Sequence, residues 1–263
     1  MTASFLEVAR DGQIATVTIN RPEKRNAITN EMMEDIERIA RDFAKDETTR
    51  AIIVRAEGRD FSIGADLSQP RFTGDPQSML IRRRQLQLGS LMMRSLREIH
   101  QPTICAIQGI ATGGGACIGT ACDFRIGADD ARIGYGEVKV GINLMWHALP
   151  VCVHLVGPAR AKRMIMSGKL FQAPILREWG FLDEIVPRDR LDATAREWAE
   201  EYAALPPIAV QMIKRSINQV SSALDQAVMH MDADQWLLAT QSEDFREAVT
   251  AFFDKRKPDF KGN

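Results

Sequence analysis

Hydrophobic and polar residues alternate near the start of the chain, and unbroken apolar runs follow further along. Residues 5–10 and 13–20 flank an Asp-Gly dipeptide, a strong signal for a two-residue turn, so they predict a β-hairpin. The runs at Ala51–Ala56 and Thr103–Ile107 are short and apolar, which is typical of buried strands. The first part of the chain is therefore predicted to contain a sheet.

Apolar residues at helical spacing follow these strands. Thr29 is predicted to cap a helix whose apolar face ends at Phe43, and a long helix is predicted over 78–99. The small apolar residues at 116–122 predict a tightly packed helix. Two further short strands are predicted at Phe124–Ala128 and 132–135. Alternating strands and helices predict an α/β fold with right-handed crossovers.

The chain becomes mostly helical from Glu137 onward, around a short predicted strand at Glu184–Val186. The predicted helices span 191–204, 207–220 and 224–253. Ser242 is a candidate cap for a fresh helix within the last of these. We therefore divide one continuous unit into a core at 1–190 and a helical C-terminal region at 191–263.

Composition and charge narrow the class of protein. Of the 263 residues, 45% are hydrophobic and 26% charged, as in an ordinary globular protein. The net charge of −1 gives no reason to expect a nucleic acid or an anionic membrane as partner. We find no signal peptide and no apolar run of membrane-spanning length, so a cytoplasmic location is predicted. The cysteines show neither zinc nor CxxC spacing, which predicts buried free thiols and no metal: Cys105, Cys117, Cys122 and Cys152.

Two glycine-bearing loops are the candidate ligand sites. Gly113-Gly114-Gly115 separates a predicted strand from a predicted helix, where free N–H groups and the helix dipole suit a phosphate or a developing oxyanion. A plain packing turn is the alternative interpretation. No G-x-G-x-x-G or Gly-Lys-Ser/Thr follows, which excludes a dinucleotide site and a P-loop. The second loop, 57–67, precedes residues 68–77, which hold two prolines and one glycine and are predicted to be mobile.

Five motifs occur in order along the chain. They are Asn-Arg-Pro-Glu-Lys-Arg-Asn-Ala at 20–27, Gly-Ala-Asp-Leu at 64–67, the triple glycine at 113–115, Gly-x-x-Glu at 134–137 and Phe-x-x-Lys-Arg at 252–256. With them the chain resembles the crotonase superfamily, the enoyl-CoA hydratases and isomerases, over nearly its whole length. The resemblance implies a spiral of ββα units as an acyl-CoA-binding core, and a C-terminal helical region that drives trimerisation. It further implies a homotrimer, or a hexamer built as a dimer of trimers.

The resemblance also implies a set of site residues. The backbone N–H groups of Ala65 and Gly114 would form an oxyanion hole for the thioester oxygen, and Glu137 would act on a substrate proton. These three would also contact substrate. The other substrate-binding residues that it implies are Lys24, Arg25, Ala27, Ile63, Asp66, Leu67, Gly113, Cys117, Gly136, Trp146, Trp236 and Lys255. For Lys255, a cation complementing a helix C-terminus is the alternative. Coenzyme A is part of the substrate, so no separate cofactor is expected.

One position departs from the pattern of the hydratases, which use two glutamates. The first falls at Cys117, and only the second, Glu137, is present. We therefore expect a single-glutamate enoyl-CoA isomerase, with Glu137 made more basic by apolar surroundings. A structural glutamate paired with an arginine is the alternative for Glu137, and a thiol lining the pocket is expected at Cys117 rather than a nucleophile. A hydratase, another lyase or hydrolase acting on a CoA thioester, and a non-catalytic relative that binds CoA remain alternatives.

The segment 141–150 also departs, because the hydratases usually have a glycine-rich stretch there. Bulky Met145 and Trp146 indicate a reshaped acyl pocket, one that is shorter or angled differently. His147 is a candidate second acid or base, with a helix-capping or packing role as the alternative.

Overall fold

Two β-sheets organise the residues that the computed structural model describes, 5–68 and 78–263. The strands are β1 (Leu6–Asp11), β2 (Ile14–Ile19), β3 (Ala51–Ala56), β4 (Thr103–Ile107), β5 (Ile110–Thr112), β6 (Phe124–Ala128), β7 (Arg132–Gly134), β8 (Phe171–Gln172) and β9 (Glu184–Val186). The larger sheet has the order β1-β2-β3-β4-β6-β9, and the smaller one β5-β7-β8. Strands β1 and β2 form the predicted antiparallel hairpin, whereas β2, β3, β4, β6 and β9 run parallel. The predicted α/β class is confirmed.

Helices connect and cover the strands. They are α1 (Asn30–Asp42), α2 (Met79–Gln85), α3 (Gln87–Arg97), α4 (Gly114–Ala121), α5 (Ala148–Val156), α6 (Pro158–Ser167), α7 (Ala173–Glu178), α8 (Leu191–Ala203), α9 (Pro207–Ser221), α10 (Gln226–Met229), α11 (Asp232–Ala239) and α12 (Glu243–Phe253). The Thr29 side chain accepts from the Met32 N–H at 3.1 Å, and Ser242 accepts from Phe245 at 3.0 Å, so both predicted caps are confirmed. In the described segments, no helix combines the length and apolarity needed to cross a bilayer.

The large sheet is buried on both faces. Val54 and Cys105 belong to the cluster that includes Met92 of α3, whereas Ile53 and Ile104 pack with α8 on the other face. Burial on both faces explains why the central strands are unbroken apolar runs instead of alternating ones. Because α8 covers the sheet, the core continues past residue 190 into the predicted C-terminal region.

The structure differs from the predicted elements in several places, among them the unpredicted strand β8. The helix predicted over 78–99 is interrupted at Leu86, and the one predicted over 224–253 is three helices, α10 to α12. The start of α12 follows the predicted cap at Ser242, whereas no glycine or proline marks the other breaks, so tertiary contacts decide those. Strand β5 lies within a segment predicted as loop. Of the segment predicted to be mobile, 68–77, all but Ser68 lies outside the described residues.

Candidate active site

Two loops meet beside helix α4. The first follows β3 and contains Ser62 and Gly64, and the second is the glycine turn between β5 and α4. The Ser62 N–H donates to the Ile110 carbonyl at 3.0 Å, and the Thr112 N–H donates to the Ser62 carbonyl at 3.0 Å. These paired bonds form an isolated parallel bridge between Ser62 and Ala111, which joins the loops.

The loops approach so closely that no side chain fits between them at two positions. A Cβ added to Gly64 would lie 2.8 Å from the Thr112 carbonyl oxygen and 3.2 Å from the Gly114 nitrogen. A Cβ added to Gly115 would lie 2.5 Å from the Ser62 carbonyl oxygen. Gly64 also has a φ of +91°, which favours glycine. Both glycines are therefore required by the contact between the loops.

Asn26 fastens a third loop to these two. Its side chain is fully buried and donates to the carbonyls of Glu57 and Asp60 at 2.8 and 2.9 Å. Its own carbonyl accepts from the Ser62 hydroxyl at 2.7 Å, and that hydroxyl accepts from the Gly64 N–H at 3.1 Å. The Asn-Arg-Pro-Glu-Lys-Arg-Asn-Ala loop is thus hydrogen-bonded, through Asn26, to the loop that contains Ser62 and Gly64.

Two backbone amides beside the contact have no acceptor among the described residues. The Ile28 N–H donates to the Gly64 carbonyl and the Asp66 N–H donates to the Ile28 carbonyl, which leaves the Ala65 N–H between them unused. Gly114 is the first residue of α4, so its N–H has no partner within the helix. Ala65 and Gly114 both line the same pocket. Two donors are thereby available to an oxygen that gains negative charge.

The pocket has a volume of about 340 Å³ and a largely apolar lining. It brings together ten of the predicted site residues: Ile63, Ala65, Leu67, Gly113, Gly114, Cys117, Gly136, Glu137, Trp146 and Trp236. Met145, predicted to reshape the acyl pocket, also lines it, and the lining residues that the sequence analysis did not assign to the site include Leu86, Thr112, Leu170 and Phe252. Leu86 comes from the break between α2 and α3, which the periodicity did not reveal.

Glu137 is the one carboxylate among the described residues that line this pocket. It opens a 3-10 turn, Glu137–Val140, and a Cβ added to Gly113 would lie 3.2 Å from its Oε1. Its Oε2 is enclosed, and no donor or arginine pairs with it in the described part of the chain. Burial raises the pKa of Glu137 to about 7. The side chain can therefore take up and release a proton near neutral pH.

Cys117 is buried on α4 and lines the same pocket. Burial, with a smaller contribution from the charge of Glu137, raises the pKa of the thiol well above its usual range. A thiol that stays protonated is a poor nucleophile. These observations agree with the expected pocket-lining role. All four cysteines are free and buried, as predicted.

Five predicted substrate-binding residues lie outside the pocket lining: Lys24, Arg25, Ala27, Asp66 and Lys255. Arg25 pairs with Asp60 at 2.8 Å, and Asp66 accepts from Arg21 at 2.8 Å, so both side chains hold loops together. Lys255 is exposed just past the end of α12, with a φ of +54°. The single chain does not bring these residues to the acyl pocket, and their contact with CoA stays a prediction.

The structure does not support the catalytic role considered for His147, and it shows a contact between His147 and Asp232 that the sequence did not indicate. The His147 side chain borders a separate groove beside Arg97 and Met229, and not the acyl pocket, so the hypothesis of a second acid or base there is not supported. The Asp232 carboxylate accepts from the His147 N–H at 2.7 Å and is almost fully buried. Nothing local in the sequence links these residues, which is why Asp232 was missed.

An α/β fold thus presents two free amides and one half-buried carboxylate to an apolar pocket, an arrangement suited to stabilising an oxyanion while a proton moves. A sequence profile described as Enoyl-CoA hydratase/isomerase matches residues 9–263. The chain therefore belongs to the enoyl-CoA hydratase/isomerase family, in the crotonase superfamily, as the five motifs predicted.

Named relatives differ in the reaction that they carry out. The chain is 29% identical over 249 residues to the short-chain-enoyl-CoA hydratase of Clostridium acetobutylicum, covering 94% of each. It is also 29% identical to the 1,2-epoxyphenylacetyl-CoA isomerase of Escherichia coli, covering 95% of each. The crystal structure of an enoyl-CoA hydratase/isomerase from Pseudoalteromonas atlantica matches 98% of this chain and 100% of its own, with a TM-score of 0.86 and 27% identity. The fold is shared, and the identity does not choose between hydratase and isomerase.

Replacing Gly64 with alanine tests the loop contact. Gly64→Ala must both strain the backbone and push the Thr112 carbonyl away, so we expect a loss of roughly 1–3 kcal/mol or more in the free energy of unfolding. Gly12→Ala is the matched control, since Gly12 also has a positive φ, +59°, but has nothing within 4 Å of its added Cβ. Denaturant unfolding would measure both. Equal losses for the two variants would contradict the role of close approach.

The pH dependence of stability tests the environment of Glu137. Its pKa in the folded protein, about 7, exceeds the ordinary 4.5, so its contribution to stability is greatest below the ordinary value and is lost as the pH rises through 7. Glu137→Gln removes this loss. We therefore expect the melting temperature of the variant, relative to that of the unmodified protein, to increase as the pH is raised from about 5 to about 8. The exposed Glu178→Gln serves as control, and a difference that does not change with pH would refute the raised pKa.

Proposed function

We propose that the protein is an enoyl-CoA isomerase that moves a double bond along the acyl chain of a CoA thioester. Glu137 removes a proton from the carbon next to the thioester carbonyl. The electrons of that C–H bond pass to the carbonyl oxygen, and the resulting dienolate accepts hydrogen bonds from the amides of Ala65 and Gly114. The protonated Glu137 then returns its proton to the far carbon of the conjugated system. No atom is gained or lost, so no separate cofactor is needed.

The position of Glu137 carries this proposal. Its Oε1 lies beside the glycine turn, where the Gly114 amide is free, and its raised pKa suits a group that must accept and return the same proton. Cys117 occupies the position of the first hydratase glutamate, and its protonated thiol does not activate a water. Family membership supports the acyl-CoA substrate. A cytoplasmic location is part of the same proposal.

A hydratase is the second candidate, because a relative named as a hydratase is as similar to the chain as one named as an isomerase. The two reactions give different products from related thioesters. The hydratase adds water to a 2-enoyl thioester, whereas the isomerase converts a 3-enoyl thioester to the 2-enoyl form.

A substrate panel with Glu137→Gln tests the function. We expect the unmodified protein to move the double bond of 3-enoyl-CoA thioesters, and the variant to lose roughly 10²–10⁴-fold in kcat, because the neutral amide cannot act as a base. Thioester binding measured by calorimetry should persist, and Glu178→Gln should match the unmodified protein. Products would be separated by chromatography.

Each alternative function predicts a different result. Water addition with no migration of the double bond would favour the hydratase. Binding without any turnover would favour a non-catalytic relative, and unchanged turnover by Glu137→Gln would refute the single-base mechanism.

We also propose that the chain assembles as a homotrimer, or as a hexamer formed from two trimers. Helix α9 has no buried residue in the single chain. Its residues Ile213, Ile217 and Val220, at helical spacing on one face, are 59%, 61% and 81% exposed. An exposed apolar stripe of this kind favours burial against another copy.

Charges placed on this stripe test the assembly. Ile213→Lys combined with Ile217→Lys should lower the molar mass measured by light scattering to that of a single chain, since unpaired charges would be buried at the contact. The control is Met166→Lys on α6, where the replaced apolar residue is also exposed, at 70%. A monomeric unmodified protein would contradict the proposal directly.

A further inference from the structure

The Trp146 indole fills a space that two glycines leave open. A Cβ added to Gly89 on α3 would lie 2.0 Å from the indole Nε1, and one added to Gly114 on α4 would lie 2.4 Å from Cζ3. Trp146 is buried and lines the acyl pocket. The ring therefore forms a wall of the pocket beside Gly114, and it fills the space between the two helices at these glycines.

The backbone that carries this ring is strained. Trp146 and His147 have φ values of +61° and +60°, so two consecutive residues other than glycine occupy the left-handed region. Such a conformation is unfavourable for both residues and persists only where surrounding contacts impose it.

Asp232 supplies such a contact from a distant part of the chain. Its Oδ2 accepts from the His147 N–H at 2.7 Å, and the residue is only 4% exposed. No cation pairs with this carboxylate within the described ranges, and burial raises its pKa to about 6. Asp232 opens α11, one turn before Trp236, which lines the pocket. A buried carboxylate without a cation lowers stability, and the hydrogen bond to the His147 N–H, together with the position of Asp232 in the first turn of α11, offsets its burial.

We propose that Asp232 is a positioning residue, which fixes the Trp146 indole against Gly114, and that this fixed wall restricts the substrate to thioesters of short acyl groups. The inference rests on the proposed function, because it concerns the acyl group bound in the same pocket. An acyl group whose carbonyl oxygen accepts from the Gly114 N–H starts beside the indole. Longer chains must then fit into the remaining volume of about 340 Å³, since the ring blocks the way between α3 and α4.

Calorimetric binding of butanoyl-, hexanoyl- and decanoyl-CoA tests this inference without requiring turnover. The unmodified protein should bind the butanoyl thioester more tightly than the decanoyl thioester. Trp146→Ala should reverse this preference, with a change in the affinity ratio of about tenfold or more, the least that a single methylene produces in an apolar pocket. Asp232→Ala should shift the ratio in the same direction, because the ring is no longer held.

Two further variants separate positioning from general damage. Asp232→Asn keeps an oxygen that accepts from His147, so it should retain the short-chain preference. Asp234→Ala removes a carboxylate from the same helix that pairs with Arg83 on the surface, and it should leave the ratio unchanged. Asp232→Ser, which suits a helix start but is too short to reach His147, replaces Asp232→Ala if the latter does not fold.

The outcomes are distinct. An affinity ratio unchanged in Trp146→Ala would refute the claim that the Trp146 ring limits the length of the bound acyl group. A ratio unchanged in folded Asp232→Ala or Asp232→Ser would overturn the positioning role. If the unmodified protein binds none of the three thioesters, the proposed function fails and this inference fails with it. If it binds them all but prefers decanoyl-CoA, the proposed function stands and the short-chain restriction is refuted.

Discussion

Two backbone amides can face one pocket here because two loops lie closer together than any side chain would allow. Gly64 and Gly115 permit this approach, and the bridge between Ser62 and Ala111 holds it. The buried Asn26 side chain then ties both loops to the N-terminal segment. Since backbone donors fixed in this way need no reorganisation when a charge develops, the arrangement favours stabilisation of an oxyanion. Glu137 can act as a base only because these donors would stabilise the negative charge that forms when it removes a proton.

Local patterns were sufficient to predict much of this framework. The hairpin, the central strands and the caps at Thr29 and Ser242 follow from turn chemistry, apolar runs and capping preferences. The glycine turn at 113–115 pointed to a site because glycines between a strand and a helix leave donors free. The family resemblance that the motifs carry together predicted ten residues that the structure brings to the same pocket, although no motif is diagnostic alone.

The remaining features depend on contacts between residues far apart in sequence. The break at Leu86 and the one between α10 and α11 lack glycine or proline signals. His147 had to be placed in a fold before its imidazole could be excluded from the pocket. Asp232 accepts from the His147 amide although 85 residues separate them in sequence, and the left-handed conformation of Trp146 has no signature in its residue type. Helix breaks, long-range contacts and backbone conformations of this kind depend on tertiary structure, so they cannot be predicted from composition or periodicity.

Helix α8 and strand β9 complete the large sheet late in the chain. While the protein is being synthesised, strands β2, β3 and β4 leave the ribosome long before the helix that covers one of their faces. Ile53 and Ile104 must therefore remain without their final neighbours until residues beyond Ala203 have emerged. The nascent chain consequently passes through a stage in which an apolar sheet face is open, and exposed apolar surface of this kind makes a folding intermediate prone to aggregation.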